Sequence, residues 1–276
     1  MRFPYYLYRH APRHSDVIDY SKVENNVKFI FPKKTAKRRP WFGRRVIYLD
    51  ESGEPSITDK TVGNRFGIGA VVTRRPEKIE QLGSDYPSVI ESGKHKGREY
   101  KYATLKNNPE EILYRAKELR RIPASYFGCV LIKTSNPGNI RAYEVYRTNL
   151  HRLLTDISDA YPHSYFDLYV DYTTTLTYRD LERECAYFPR ITPHPPIMNS
   201  PNGGLRVADM VAGIITDEVT DNPYKADGAY DAIKHKIVNK NVHGTADVDV
   251  GNGSRPVNNR CSDLRDIIFI TKEVFE

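Results

Sequence analysis

The sequence predicts an α/β protein, and three observations carry that expectation. Short β-branched and aromatic runs at 46–49, 66–72, 126–132 and 166–170 read as strands. Longer segments with apolar residues every three or four positions, over 140–160 and 205–219, read as helices between and after them. Two of the strands run directly into an aspartate, Asp50 and Asp171, as strands feeding a polar site do.

Val46-Ile47-Tyr48-Leu49 is followed by Asp50-Glu51-Ser52-Gly53. Alternation puts Val46, Tyr48 and Asp50 on one side and Ile47 and Leu49 on the other, so both faces are covered and the strand is central. Asp50 is expected at the mouth of the sheet, where a carboxylate is costly unless its charge is compensated. If the strand continues, Glu51 points to the opposite face, as a turn or supporting residue. The 66–72 run pairs with the first strand as an antiparallel hairpin, and its glycines permit close approach of neighbouring backbone. The connection over 53–65 is long and polar, a place where an active-site loop is tolerated.

A helix is expected from Glu77 and a clearer one from Pro109, whose ring suits the first turn while Glu110 and Glu111 complement the helix dipole. The 126–132 strand ends in a turn at 136–138. The longest helix follows over 140–160, with Tyr143, Tyr146, Leu150, Leu153, Leu154 and Ile157 in one stripe. The 205–219 helix is preceded by Asn202-Gly203-Gly204 and carries Asp209 beside its buried side. Ala208, Ala212 and Gly213 are small enough to press it close to the sheet. Beyond it, 224–236 is expected as a helix, 239–263 as a loop rich in Gly, Asn and Asp, and 267–270 as a last strand.

The chain has 276 residues, enough for one large domain with decorated ends. No run is long and apolar enough to span a bilayer, the first residues lack the apolar core of a secretory signal, and the expected compartment is the cytoplasm. Cys129, Cys185 and Cys261 lie too far apart for a zinc knuckle and are expected as buried thiols. Net charge is +7, and its distribution is uneven. Residues 1–45 hold 12 Lys and Arg against 3 Asp and Glu, leaving 30 against 32 of the totals of 42 and 35. Lys33, Lys34, Lys37, Arg38, Arg39, Arg44 and Arg45 form the densest run, with Tyr5, Tyr6, Tyr8 and Tyr20 upstream. Cations interleaved with stacking aromatics suit a nucleic-acid partner, so 1–45 is expected as a basic extension on a domain over 46–276. His10 and His14 have no acidic or thiol partners nearby and are expected at the surface. No Gly-rich phosphate loop and no Gly-x-Ser-x-Gly elbow occurs.

Asp50, Asp171 and Asp209 therefore stand on two strands and a helix, and Glu99, in the charged run 94–101, is a candidate to join them, with Glu91 as a substitute. Here the sequence resembles the domain of unknown function 3800 family. The motifs are Leu49-Asp50-Glu51-Ser52-Gly53, Glu99-Tyr100-Lys101, Val170-Asp171 and the 205–213 stretch around Ala208-Asp209-Met210. The resemblance spans about 46–217 and implies a ribonuclease-H-like mixed β-sheet flanked by helices. It also implies a divalent-metal nuclease site made by Asp50, Glu99, Asp171 and Asp209. The chain departs from the family at Arg206, where members often have Gln, and at Asn199-Ser200, where they have an Asp-Ser pair.

Phosphodiester hydrolysis needs a deprotonated water on one side of phosphorus and relief for the charge on the leaving oxygen at the other. Two Mg²⁺ or Mn²⁺ ions about 3.5–4 Å apart supply both. Asp50 is expected to bridge them, with Glu99 and Asp171 completing one site, Asp209 serving the other, and Lys101 neutralising the scissile phosphate. Asp50 and Glu51 are adjacent, whereas a proofreading exonuclease has a residue between its first two acids, so an endonuclease is preferred. Two other readings are a non-catalytic nucleic-acid-binding protein on the same fold and a small-molecule phosphodiesterase.

Overall fold

A computed structural model describes residues 43–57, 64–91, 96–133, 140–171, 173, 175–197, 202–219 and 226–244. The chain divides between Trp41 and Phe42, and everything described belongs to the second part. The expected turn at 136–138, the last strand at 267–270, Asn199-Ser200, His10, His14 and Cys261 lie outside the described residues.

The α/β architecture is a six-stranded mixed sheet with helices on both faces. Its strands are β1 (Arg44–Gly53), β2 (Arg65–Thr73), β3 (Ala124–Ile132), β4 (Tyr165–Val170), β5 (Ile191–Pro193) and β6 (Ile237–Gly244), in the order β5-β4-β1-β2-β3-β6. β1, β2 and β3 form an antiparallel meander; β4 lies parallel to β1, β5 parallel to β4, and β6 parallel to β3. The helices are α1 (Pro76–Ser84), α2 (Tyr102–Leu105), α3 (Pro109–Leu119), α4 (Ala142–Ala160), α5 (Tyr178–Cys185), α6 (Gly203–Glu218) and α7 (Ala229–Ile233).

The alternation in β1 is realised. Ile47 and Leu49 enter a core with Leu150, Leu153 and Ile157 of α4 and Leu181 of α5, while Tyr48 enters a second core with Val207, Val211 and Ile215 of α6. Cys129 and Cys185 are buried thiols, as expected. β1 does not end at Asp50 but runs to Gly53, so Asp50 lies within the strand and is registered against Gly69 of β2. β1 also begins at Arg44, which places the boundary expected after Arg45 inside a strand.

Gly69 is where the sheet and α6 come closest. A Cβ there would lie 2.5 Å from the Ala212 Cα, so the absence of a side chain sets the height of α6 above β1 and β2. Ala212 presses on the sheet as its size predicts. Gly213 does not: its missing side chain makes room for the Tyr102 ring. Asn202 caps α6 by accepting from the Leu205 N–H at 3.1 Å, and Gly203 and Gly204 fall inside the first turn.

Two expectations are corrected. The helix expected over 224–236 is a five-residue α7 followed by a 3₁₀ turn over Lys234–Lys236. The loop expected from 239 contains most of β6, whose polar residues Asn239, Lys240 and Asn241 pair by backbone with β3. An edge strand needs only its main-chain groups on one side, so polarity of side chains does not preclude it.

Candidate active site

Three chain segments deliver the carboxylates. Asp50 sits on the face of β1 that α6 covers. The Asp171 N–H donates to the Leu49 carbonyl at 3.2 Å, which extends the parallel β1–β4 register one step beyond Leu49 and Val170 and lays Asp171 alongside Asp50. Asp209 reaches the same place because Ala212, the next turn of α6, rests on Gly69, the partner of Asp50 in the hairpin. All three keep some contact with solvent.

Their electrostatics show the proximity. Burial first, then the Asp209 and Asp171 charges, push the Asp50 carboxyl well above its usual range; the Glu51 N–H, donating to Asp50 Oδ1 at 2.7 Å, opposes this. Burial pushes Asp209 up to about 6, with Asp171 and Glu99 adding to the rise. The Tyr102 N–H, 2.7 Å from Asp209 Oδ2, and the Lys101 charge hold it back. Burial is thus the main cost of ionising these acids, and their charges act on one another in addition.

Glu99 and Lys101 lie on the rim. Glu99 bridges Val89 in a short antiparallel contact, and Lys101 precedes α2. Their side chains are 3.4 Å apart and 64 % and 47 % exposed, respectively. Burial lowers the Lys101 pKa, but Glu99, Asp171 and Asp209 outweigh it and the net shift is upward. Lys101 is therefore a cation facing the acidic group, while Glu99 stands further out than the three aspartates. Glu91 is exposed.

Glu51 lies closer to the site than its alternation suggests. Burial raises its pKa to about 7 on the α4 side of the sheet, beside Thr173 and the Tyr146 hydroxyl, with Asp171 adding to the rise. That hydroxyl is buried, and it and Thr173 oppose the rise by stabilising the Glu51 carboxylate. Tyr102 and Asp217 were also not anticipated. The spacing Asp209, Gly213, Asp217, one helical turn apart each time, is the signal that marks them as one face of α6.

The donor set consists of carboxylate oxygens, the hard ligands that Mg²⁺ and Mn²⁺ prefer. Its chemistry fits such ions, but its spacing does not complete a site: among the described residues no three His, Cys, Asp or Glu side chains converge closely enough to hold a metal.

The basic residues fare differently. Lys33, Lys34, Lys37, Arg38 and Arg39 lie outside the described residues. Arg44 and Arg45, expected as part of the nucleic-acid-binding run, are strand residues with partners inside the domain. Arg44 forks onto Asp167 at 2.5 and 2.6 Å, and Arg45 lies 4.0 Å over the Tyr161 ring with Nε 3.1 Å from Ser164 Oγ. Arg206, where the family resemblance departs, donates to the carbonyls of Gly83, Tyr86 and Pro87 and holds the end of α1.

No protein-family model matches the chain, and no curated protein matches it. Among solved structures it is similar to a chain of the PCNA:RNase HII complex from Archaeoglobus fulgidus, at 12% identity and a TM-score of 0.41, over 65% of this chain and 82% of that one. No helix among the described residues is long and apolar enough to cross a membrane.

Proposed function

We propose that the protein is a divalent-metal-dependent nuclease that hydrolyses phosphodiester bonds in nucleic acid, with Asp50, Asp171 and Asp209 as its metal ligands and Glu99 completing the set. The observation that carries this is the placement of three carboxylates from β1, the end of β4 and α6 in one neighbourhood, where burial first and then the neighbouring acids raise the pKa of Asp50 and Asp209. A protein gains nothing in stability by such an arrangement, and perturbed acids clustered in one place are characteristic of functional sites. Two Mg²⁺ or Mn²⁺ ions would supply charge relief for the attacking and leaving oxygens. The chain's own groups do the rest. The aspartates fix the place of the reaction, Lys101 presents its ammonium to a phosphate drawn against them, and the basic run at 33–39 supplies further cations for the substrate backbone. The adjacent Asp50-Glu51 pair and the likeness to the domain of unknown function 3800 family favour endonucleolytic cleavage.

One observation favours a second reading, a nucleic-acid-binding protein without catalysis: the acids are near one another but are not gathered to ligating distance. A panel of single-stranded, duplex and hybrid oligonucleotides with Mn²⁺, beside Asp209→Asn, separates the two. Cleavage of at least one substrate by the wild type and by none in the variant is the expected result. Binding of oligonucleotides without cleavage, and no saturable Mn²⁺ binding at millimolar concentration by calorimetry, would replace the nuclease reading with the second.

A further inference from the structure

The segment that carries Glu99 and Lys101 is joined to the helix that carries Asp209 through one residue between them, Tyr102. Its side chain is 2 % exposed, and it touches α6 at three successive turns. At the first, its N–H donates to Asp209 Oδ2 at 2.7 Å. At the second, its ring lies against Gly213, where a Cβ would come within 2.1 Å of ring carbons. At the third, its hydroxyl donates to Asp217 Oδ2 at 2.8 Å. Asp217 is itself buried and held by Arg65 of β2 at 2.7 Å, with Lys106 3.7 Å away, so the anchor is tied to the sheet as well as to the helix.

We infer that Tyr102 is a positioning residue: it locks the 99–101 segment in register with α6, so that Glu99 and Lys101 stand over Asp50, Asp171 and Asp209. Tyr100 ties the segment to α3, its hydroxyl accepting from Arg115 Nε at 2.8 Å and donating to Glu111, and packs on Tyr86 with ring centroids 5.8 Å apart; Tyr102 is what ties the segment to α6. Glu99 and Lys101 are exposed, α2 is a single turn, and Glu99 is fixed by one bridge to Val89 and by the Thr104 hydroxyl donating to its carbonyl at 2.8 Å. The spacing makes the lock specific. A tyrosine long enough to span two turns of α6 needs a small residue in the middle and an acceptor at the far end, and Gly213 and Asp217 supply them.

The role of this lock in catalysis rests on the proposed nuclease function; the lock itself does not. The test therefore reads both. Tyr102→Phe keeps the ring on Gly213 and the N–H on Asp209 and removes only the bond to Asp217, which retains Arg65. Hydrogen exchange of the metal-free protein should show faster exchange over 99–102 in this variant, with a melting temperature close to wild type. Mn²⁺ calorimetry should show affinity lowered about tenfold, the range seen when a group supporting a metal ligand is removed, with turnover at saturating Mn²⁺ within about threefold of wild type. Gly213→Ala, which displaces the ring, should show the same pattern more strongly. Unchanged exchange over 99–102 in both variants overturns the inference. So does a fall in melting temperature with Mn²⁺ affinity unchanged, which marks Tyr102 as packing only. If the wild type binds no Mn²⁺ the nuclease reading falls, and the exchange result alone then decides whether Tyr102 locks the segment.

Discussion

The two ends of the β1–β4 pair present opposite electrostatics on one face of the sheet. At the start, Arg44 meets Asp167 in a two-pronged ion pair, His194 Nε2 stands 3.2 Å from the same carboxylate, and the His194 ring stacks on Tyr169 with centroids 4.4 Å apart. Burial works against the Asp167 charge, but Arg44 and His194 outweigh it and hold the pKa below its usual value. At the other end Asp50 and Asp171 lie side by side under Asp209, with Lys101 on the rim, and burial and mutual repulsion drive the Asp50 pKa up. The same strands in the same register thus carry one acid that is satisfied and a group that is not. Asp167 contributes to the fold, whereas the ionised form of Asp50 burdens it.

The largest effect expected from this contrast follows Asp50→Asn. If Asp50 is a metal ligand as proposed, its removal should lower cleavage about a thousandfold or more, corresponding to about 4 kcal/mol of lost transition-state stabilisation. Without metal the same change should leave the melting temperature unchanged or raise it. The sign follows from linkage. An acid whose folded pKa is raised destabilises the fold while ionised, above that pKa, and the penalty vanishes as pH falls toward the unfolded value near 4. The advantage of Asp50→Asn in chelator should therefore grow as pH rises above the unfolded value and close as pH drops to about 4. A metal-free melting temperature well below wild type at pH 8 would show that Asp50 supports the fold, as Asp167 does.

Asp167→Ala should behave in the opposite way. The Asp167 side chain is 8 % exposed and is an acceptor for Arg44, with His194 within reach. Its loss leaves those donors without their acceptor and should cost about 1–3 kcal/mol of stability, read by denaturant titration. Cleavage per folded molecule should be unchanged. A loss of activity at full folding would join the two ends into one functional surface and dissolve the distinction between them.

The same contrast explains what the sequence showed and what it hid. β1, its hairpin partner and the α6 helix are buried, and buried elements have to display their period, so their faces could be read from apolar spacing, whereas whether Asp50, Asp171 and Asp209 come within ligating distance could not. β6 is an edge strand that satisfies its backbone against β3 with Asn239, Lys240 and Asn241 along it, and spacing gave no sign of it. α5 rests on its cap, Thr177 and Asp180 bonding reciprocally, and β5 has three residues; neither is long enough to show a period. Tyr102 directly follows a charged run, and its value lies in Gly213 and Asp217, which only the fold brings to it. Arg44 and Arg45 entered the basic run because a count of charges cannot see Asp167 or Tyr161, more than a hundred residues away.

The Arg44 pair leads to the smallest effect. Arg44 is 73 % exposed, so the ion pair it makes is screened on its open side, and Arg44→Ala should cost at most about 1 kcal/mol, since His194 stays beside Asp167. The more telling measurement is oligonucleotide binding against salt. A cation that neutralises a phosphate contributes about one unit to the slope of log affinity against log salt. If the Arg44 charge is already taken up by Asp167, the variant should keep the wild-type slope, whereas replacing Lys33, Lys34 and Lys37 together should flatten it. A slope reduced by about one unit in Arg44→Ala would mean that the guanidinium leaves Asp167 for a phosphate when substrate arrives, and that the satisfied end of the strand pair belongs to the binding surface after all.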